Sequence, residues 1–322
     1  MKVQRYTHET GRNEMRTLFI YLVFPGFAFT ALAGMMASWL ERKITARLQW
    51  RVGPPWYQSF ADMAKLCAKV ALVPAAASRI AFLCAPAIGL AGVIVASGLL
   101  GGVDLGLSRG CPGDLALAVC LLLTPPLSLI IGGAASRHQL ALLGVRREMR
   151  LTLARECPFI LASAVPVLKA GMTLRVAGLL AHQQAHGSFL WSPSGALAFA
   201  VSVVCMQAKL GYVPFDASEA DTEINSGPLI EYSGPLLALF RLTRMMVLIA
   251  LPVYLLTLFV GGAVFRGWGI GAAVLEYGVL LLLITLIKNT NPRLRIDQAQ
   301  RFFLGPVTAV AAAAVLLALA GR

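Results

Sequence analysis

Acidic residues are scarce in this chain: 15 Asp and Glu stand against 28 Lys and Arg in 322 residues, a formal net charge of +13. Paired cysteines are absent. The six present, Cys67, Cys84, Cys111, Cys120, Cys157 and Cys205, are scattered without a CxxC pair or ferredoxin-like spacing, which argues against a metal cluster held by this chain. His182 and His186 have the spacing of ligands on one helix face, but read as two polar residues of an external loop. There is no GxGxxG, no Walker loop and no nucleophile triad, so dinucleotide, nucleotide and hydrolase chemistry lack a base. No internal repeat is visible, against the inverted-repeat transporters. Nor is there a nucleic-acid motif, so the positive charge reads as loops facing anionic lipid or an acidic partner.

What the chain has in excess is apolar: 58% hydrophobic and 13% charged residues, with mean hydropathy +0.74. A soluble domain of this length has no core large enough for such a surface. The sequence predicts an all-α, polytopic membrane protein, a single integral membrane domain over 1–322 with about eight transmembrane helices. The expected spans are Thr17–Leu40, Arg79–Gly101, Asp114–Gly133, Leu151–Ala170, Pro193–Leu210, Pro235–Gly262, Ala272–Lys288 and Leu304–Ala320. The first apolar run is too long for a cleavable signal peptide and lacks a small-residue cleavage site, so it is expected to remain as a helix.

Basic residues favour the cytoplasmic side. They crowd the first connection (Arg42, Lys43, Arg47, Arg51, Lys65, Lys69), the third (Arg137, Arg146, Arg147, Arg150) and the seventh (Lys288, Arg293, Arg295, Arg301), from which loops 1, 3, 5 and 7 are expected on the cytoplasmic side of the membrane. The basic 1–16 tail, with Lys2, Arg5, Arg12 and Arg16, runs against this sum. Within the 41–78 loop, Gly53-Pro54-Pro55 breaks the chain, and Ser59 to Val73 reads as an amphipathic surface helix with Phe60, Met63, Ala64, Cys67 and Val70 on its apolar side. Too short to cross, it belongs at the membrane surface or under a partner.

Five of the few carboxylates gather in the 211–234 loop: Asp216, Glu219, Asp221, Glu223 and Glu231. Clustered, partly desolvated carboxylates raise one another's pKa, which suits proton uptake and release near neutral pH. Arg241 and Arg244, three apart on the next helix, are the expected counter-charges. Glu156 sits inside the fourth span beside Arg155, either as a neutralising pair or as an inward extension of a proton path; Glu276 in the seventh reads as interfacial.

Six motifs, in order, resemble the membrane subunit of respiratory complex I known as its H subunit or subunit 1, and its counterpart in complex I-like membrane-bound nickel-iron hydrogenases. They are ERK at Glu41–Lys43, RVGP at Arg51–Pro54 with FADMAKL at Phe60–Leu66, REMRLTLARECPF at Arg147–Phe159, PFDASEADTEI at Pro214–Ile224, EYSG at Glu231–Gly234 and RLRIDQ at Arg293–Gln298. The resemblance covers nearly the whole chain. The contracted GPPWYQ of the first loop is similar to that of the hydrogenases, as are GPLIEYSG at Gly227–Gly234 and the REM of Arg147–Met149.

The resemblance implies a non-redox, membrane-anchoring and proton-coupling subunit of a ferredoxin-linked oxidoreductase. Its nickel-iron centre and iron-sulfur clusters would lie in partner subunits, with no cofactor in this chain. The implied partners are hydrogenase large and small subunits, an iron-sulfur subunit, antiporter-like membrane subunits and, through the complex, ferredoxin. Asp216, Glu219, Asp221, Glu223, Glu231 and Glu156 match the family's coupling carboxylates. Asp221 stands where Glu is frequent, and Val70 where a Glu commonly follows the lysine. The face expected to dock the peripheral arm comprises Glu41, Arg42, Arg47, Arg51, Asp62, Lys65, Lys69, Arg293, Arg295 and Asp297. Two alternatives stay open: a quinone-site subunit of a complex I-type NADH-quinone oxidoreductase, and an autonomous cation transporter. The sequence leaves open whether the ion is H⁺ or Na⁺ and whether hydrogen, a quinone or a sulfur compound is involved.

Overall fold

The computed structural model describes residues 17–108, 110–218, 225–262 and 269–321. The N-terminal tail, Arg109, Arg266 and the middle of the acidic loop with Glu219, Asp221 and Glu223 lie outside the described residues. Helix is the regular structure of the described residues, which contain no strand. Helices satisfy their own backbone, the requirement hydrocarbon imposes on any spanning segment.

Among the described residues, a helical stretch at 17–22 is followed in chain order by α1 Phe27–Leu48, α2 Gln58–Cys67, α3 Arg79–Asp104, α4 Asp114–Leu121, α5 Thr124–Ala135, α6 Gln139–Lys169, α7 Val176–His186, α8 Pro193–Lys209, α9 Gly234–Phe259, α10 Gly269–Thr290, α11 Ile296–Phe302 and α12 Thr308–Leu319. A π-helical stretch, Phe303–Val307, joins α11 to α12, and α4 and α5 form one span interrupted ahead of Pro125-Pro126. Among the described residues, seven segments are long and apolar enough to cross a membrane: Thr17–Leu48, Arg79–Asp104, Asp114–Ala135, Gln139–Lys169, Gly234–Phe259, Gly269–Thr290 and Ile296–Leu319. The remaining expected span, the fifth in order, is α8, whose 17 residues extend roughly 26 Å, at the lower edge of what a bilayer requires. It packs between α6 and α12. Its start is fixed by Ser192, whose hydroxyl accepts from the Gly195 amide at 3.2 Å, with Pro193 in the first turn.

Several limits differ from the sequence expectation. α1 runs through Glu41-Arg42-Lys43 to Leu48, and α6 begins at Gln139, so Arg146, Arg147 and Arg150 ride on a helix of 31 residues instead of a loop. The last span starts at Ile296. The expected external loop after α6 contains α7, on which the rings of His182 and His186 stack with centroids 4.4 Å apart. The surface helix α2 ends at Cys67, and its buried residues are Ser59 and Leu66; Ala64, Cys67 and Val70 are exposed. Ser59 is buried because its hydroxyl accepts from Arg42 of α1, a polar anchor that apolar periodicity does not register.

α9 is the axis of the bundle. It packs on α1, α2, α3, α8 and α10, and most of its length is buried. At Gly34 of α1 a Cβ would stand 2.4 Å from the Met245 carbonyl oxygen, so only glycine allows α1 to press this closely on α9. The close approach sets Glu41 and Arg42 of α1 beside the first turns of α9, where the charged residues converge.

Candidate functional site

The charged ends of α1, α8, α9 and α10 surround a cavity of about 730 Å³, bounded elsewhere by α2, the 210–218 and 225–232 segments and Arg293. Its charged lining includes Glu41, Asp62, Glu148, Lys209, Asp216 and Lys288. Buried charges must be paired, and each of these is.

Glu41 is 2% exposed and accepts from Lys288 Nζ at 2.8 Å and from Thr45 Oγ1 at 3.2 Å. The sequence placed Glu41 on the docking face; the structure buries it in the cavity wall, because α1 continues and turns it toward α10. Lys288 Nζ also lies 4.7 Å from the Tyr212 ring centroid, and the Arg244 guanidinium 5.4 Å, so one aromatic ring receives two cations.

α6 grips the C-terminal end of α8 with two neighbouring side chains. Arg155, 1% exposed, donates to the Ala208 carbonyl at 2.8 Å, to Glu148 Oε1 at 2.9 Å and to Thr152 Oγ1 at 3.0 Å. Glu156 Oε1 takes Lys209 Nζ at 2.5 Å, and the ammonium lies 4.4 Å from the Phe159 ring centroid. The expected Arg155–Glu156 pair is therefore replaced by two separate pairs. Adjacent helix residues point about 100° apart and do not face each other, whereas residues 3, 4 or 7 apart share a face. Glu148, Lys209 and Lys288 were missing from the expected site. Glu148 was hidden within an apparent basic loop, although its spacing to Thr152 and Arg155 marks one helix face. Lys288 was read only as a positive charge of the seventh connection, and Lys209 was not singled out.

Asp216 takes a two-pronged hydrogen bond from Arg293, Nε to Oδ1 at 2.8 Å and Nη2 to Oδ2 at 2.5 Å, and the Leu294 amide donates to the Pro214 carbonyl at 3.0 Å. The acidic loop is thus tied to the 291–295 segment. Of the expected counter-charges, Arg244 donates to the Gly211 carbonyl at 2.7 Å and Arg241 lines the cavity, while Glu219, Asp221 and Glu223, which they were expected to meet, lie outside the described residues. For Asp216 the cation comes from the turn between α10 and α11, which folds directly over it. Glu231 Oε1 lies 3.8 Å from His138 Nε2 at the start of α6.

Each residue of the EYSG motif has a contact. Tyr232 stacks on Phe82 at 4.1 Å and donates to the Phe82 carbonyl at 3.0 Å; burial pushes its phenol above the usual range and keeps it a donor. Ser233 Oγ accepts from the Leu72 amide at 3.1 Å. Gly234 has φ +58°, and a Cβ there would meet the Lys69 and Val70 carbonyl oxygens at 2.8 Å. The segment following α2 is in this way fastened to the start of α9.

Of the remaining expected docking residues, Arg42 reaches Asp62 at 3.5 Å and holds α2 on α1. Arg47, Arg51, Lys65, Lys69, Arg295 and Asp297 are exposed, as is Arg293 in spite of its clamp on Asp216. Trp50 and Val52 beside them are almost wholly exposed, at 98% and 92%. No group of three or more metal-ligating side chains occurs among the described residues.

The family model described as NADH dehydrogenase matches residues 20–319. The H subunit of NADH-quinone oxidoreductase from Anaeromyxobacter dehalogenans (strain 2CP-C) is 31% identical, over 90% of this chain and 79% of that protein. The protein of the same name from Geobacillus kaustophilus (strain HTA426) is 29% identical over 81% of each. Among solved structures, a chain of the membrane-bound sulfane sulfur reductase, an archaeal respiratory membrane complex, superposes with a TM-score of 0.84 over 94% of this chain and 98% of its own, at 24% identity, a likeness of fold. The span pattern and these relatives make the protein an integral membrane subunit of the kind found in multisubunit oxidoreductases, and the chain belongs to the NADH dehydrogenase family.

Proposed function

We propose that this chain anchors a peripheral redox arm to the membrane and couples its turnover to ion translocation. The observation that carries the reading is the cavity: buried or half-buried carboxylates, each against a cation, line one continuous space at the end of the bundle that also carries the exposed Arg47, Arg51, Lys65 and Lys69. In this reading those basic residues and Trp50 face the cytoplasmic arm. A charge change at the junction alters the balance of the Asp216–Arg293 and Glu41–Lys288 pairs and then of Lys209–Glu156, with Glu219, Asp221 and Glu223 completing the acidic loop. Moving one charge through 100 mV requires about 2.3 kcal/mol, and a pKa shift of one unit corresponds to about 1.4 kcal/mol, so shifts of a few units shared among these groups are on the required scale.

For the electron-transfer partner we propose a ferredoxin-linked nickel-iron hydrogenase, on the strength of the contracted Gly53-Pro54-Pro55-Trp56 loop. Nickel-iron and iron-sulfur centres would then reside in the partner subunits. A second reading is supported by the named relatives and by the size of the cavity, whose lining mixes Pro125, Leu129 and Phe240 with the charges: a quinone site of a complex I-type enzyme. The two separate in one experiment. The intact complex is extracted in mild detergent with this chain tagged, its subunits are identified, and hydrogen evolution from reduced ferredoxin is assayed beside quinone reduction. Hydrogen evolution with a nickel-containing partner supports the first reading; quinone reduction without hydrogen overturns it.

A further inference from the structure

Glu276 stands seven residues into α10, about 10 Å from its first residue. Its depth has a second marker: the neighbouring Tyr277 hydroxyl donates at 3.3 Å to the carbonyl of Leu248, near the middle of the 26-residue α9. The sequence read Glu276 as interfacial, but the helix begins earlier than expected and carries the carboxylate well inside the span.

Tyr277 turns toward α9, whereas Glu276 lies at the margin of the outward face, with Ala272, Leu275, Val279 and Leu283 exposed around it. Among the described residues none hydrogen-bonds or ion-pairs with its carboxylate. An ionisable group inside a span ordinarily turns into its bundle or finds a partner, because hydrocarbon solvates it poorly. A lysine or arginine escapes by extending its stem to the interface; a glutamate is too short to cover roughly 10 Å.

We propose that the Glu276 face of α10 is a contact with a transmembrane helix of another subunit, one that carries a lysine or arginine at the same depth. Charge complementarity selects that chemistry: a basic group buried beside Glu276 neutralises both, while a purely apolar helix leaves the carboxylate unmet. Exposed Leu275 and Val279 supply the apolar surround. The inference rests on the reading of this chain as a subunit with membrane partners, and it is indifferent to the electron acceptor.

The test uses the intact complex in native membranes. A photo-crosslinking side chain replaces Val279, the membranes are irradiated, and the joined peptide is identified by mass spectrometry. In parallel, the membrane subunits co-purifying with Glu276→Leu and Glu276→Gln are quantified. The expected result is a crosslink to one membrane subunit, in a helix with Lys or Arg within a turn of the joined residue. Glu276→Leu should reduce co-purification of that subunit at least tenfold and Glu276→Gln by less, and Glu276→Lys combined with an acidic residue at the partner's basic position should restore it. Crosslinks to lipid alone, or to a helix without a nearby basic residue, or an unchanged subunit composition in Glu276→Leu would overturn the proposal. None of these readouts uses hydrogen, quinone or ion translocation, so they fail or succeed separately from the assigned function.

Discussion

Arg155→Met removes three hydrogen bonds at once from a side chain that is 1% exposed, and it strands the Glu148 carboxylate, whereas the Ala208 carbonyl still accepts from the Gly211 amide at 3.1 Å. The Ala208 carbonyl loses its side-chain donor at the end of α8, and Glu148 keeps only Thr152 Oγ1 at 3.3 Å. Breaking a buried pair by deleting one partner costs about 3–5 kcal/mol, most of it the uncompensated charge. The cost should fall sharply when Glu148→Leu is added, because the second change removes the orphaned carboxylate. A coupling energy of roughly 2 kcal/mol or more is expected from the double-mutant cycle. The assay is unfolding of the tagged complex in mixed micelles by titration with a denaturing detergent, comparing both single variants and the double. Additive losses, or a single Arg155→Met loss below about 1 kcal/mol, would refute the view that this pair is dry and closely coupled.

The Asp216–Arg293 clamp supplies the contrast: its arginine is 37% exposed, so Asp216→Asn should cost at most about 1 kcal/mol in the same titration while lowering the ions moved per electron. A large stability loss with unaltered coupling would contradict this. Gly234→Ala places a methyl group against two carbonyl oxygens at φ +58°, a conformation costing an L-residue about 1–2 kcal/mol before any clash. It should loosen residues 68–72 and speed tryptic cleavage after Lys69; an unchanged cleavage rate would count against the proposed fastening. Tyr232→Phe keeps the stack on Phe82 but strands that carbonyl, for a loss of about 1 kcal/mol in the same unfolding titration; a neutral result would mean that water replaces the hydroxyl.

The spans were legible because long apolar runs in lipid have essentially one solution, a helix. Their ends were less so. Arg146 to Arg150 look like loop in a hydropathy reading, yet α6 carries them as helix beyond its apolar portion, since arginine is a good helix former and its charge can project outward. Glu148 was lost with them. The acidic residues of the 211–234 segment stood out by scarcity, but the partner of Asp216 did not, nor did that of Glu41 in α1: Arg293 is 77 residues from Asp216, and Lys288 is 247 from Glu41, distances that only packing closes. For the surface helix, the expected apolar side of Phe60, Met63, Ala64, Cys67 and Val70 left out Ser59, whose hydroxyl, satisfied by Arg42, makes it a buried residue. Sequence periodicity weighs apolarity, and this end of the bundle is assembled by charge and hydrogen bonding.

The most direct test of coupling through these carboxylates is the number of ions translocated per electron by the intact complex in sealed proteoliposomes, compared between the unaltered protein and Glu156→Gln. The account predicts that electron transfer continues and the ratio collapses, because the Lys209–Glu156 pair can no longer exchange charge with the cavity. An unchanged ratio at an unchanged electron-transfer rate would contradict it and leave Glu156 with a purely structural role.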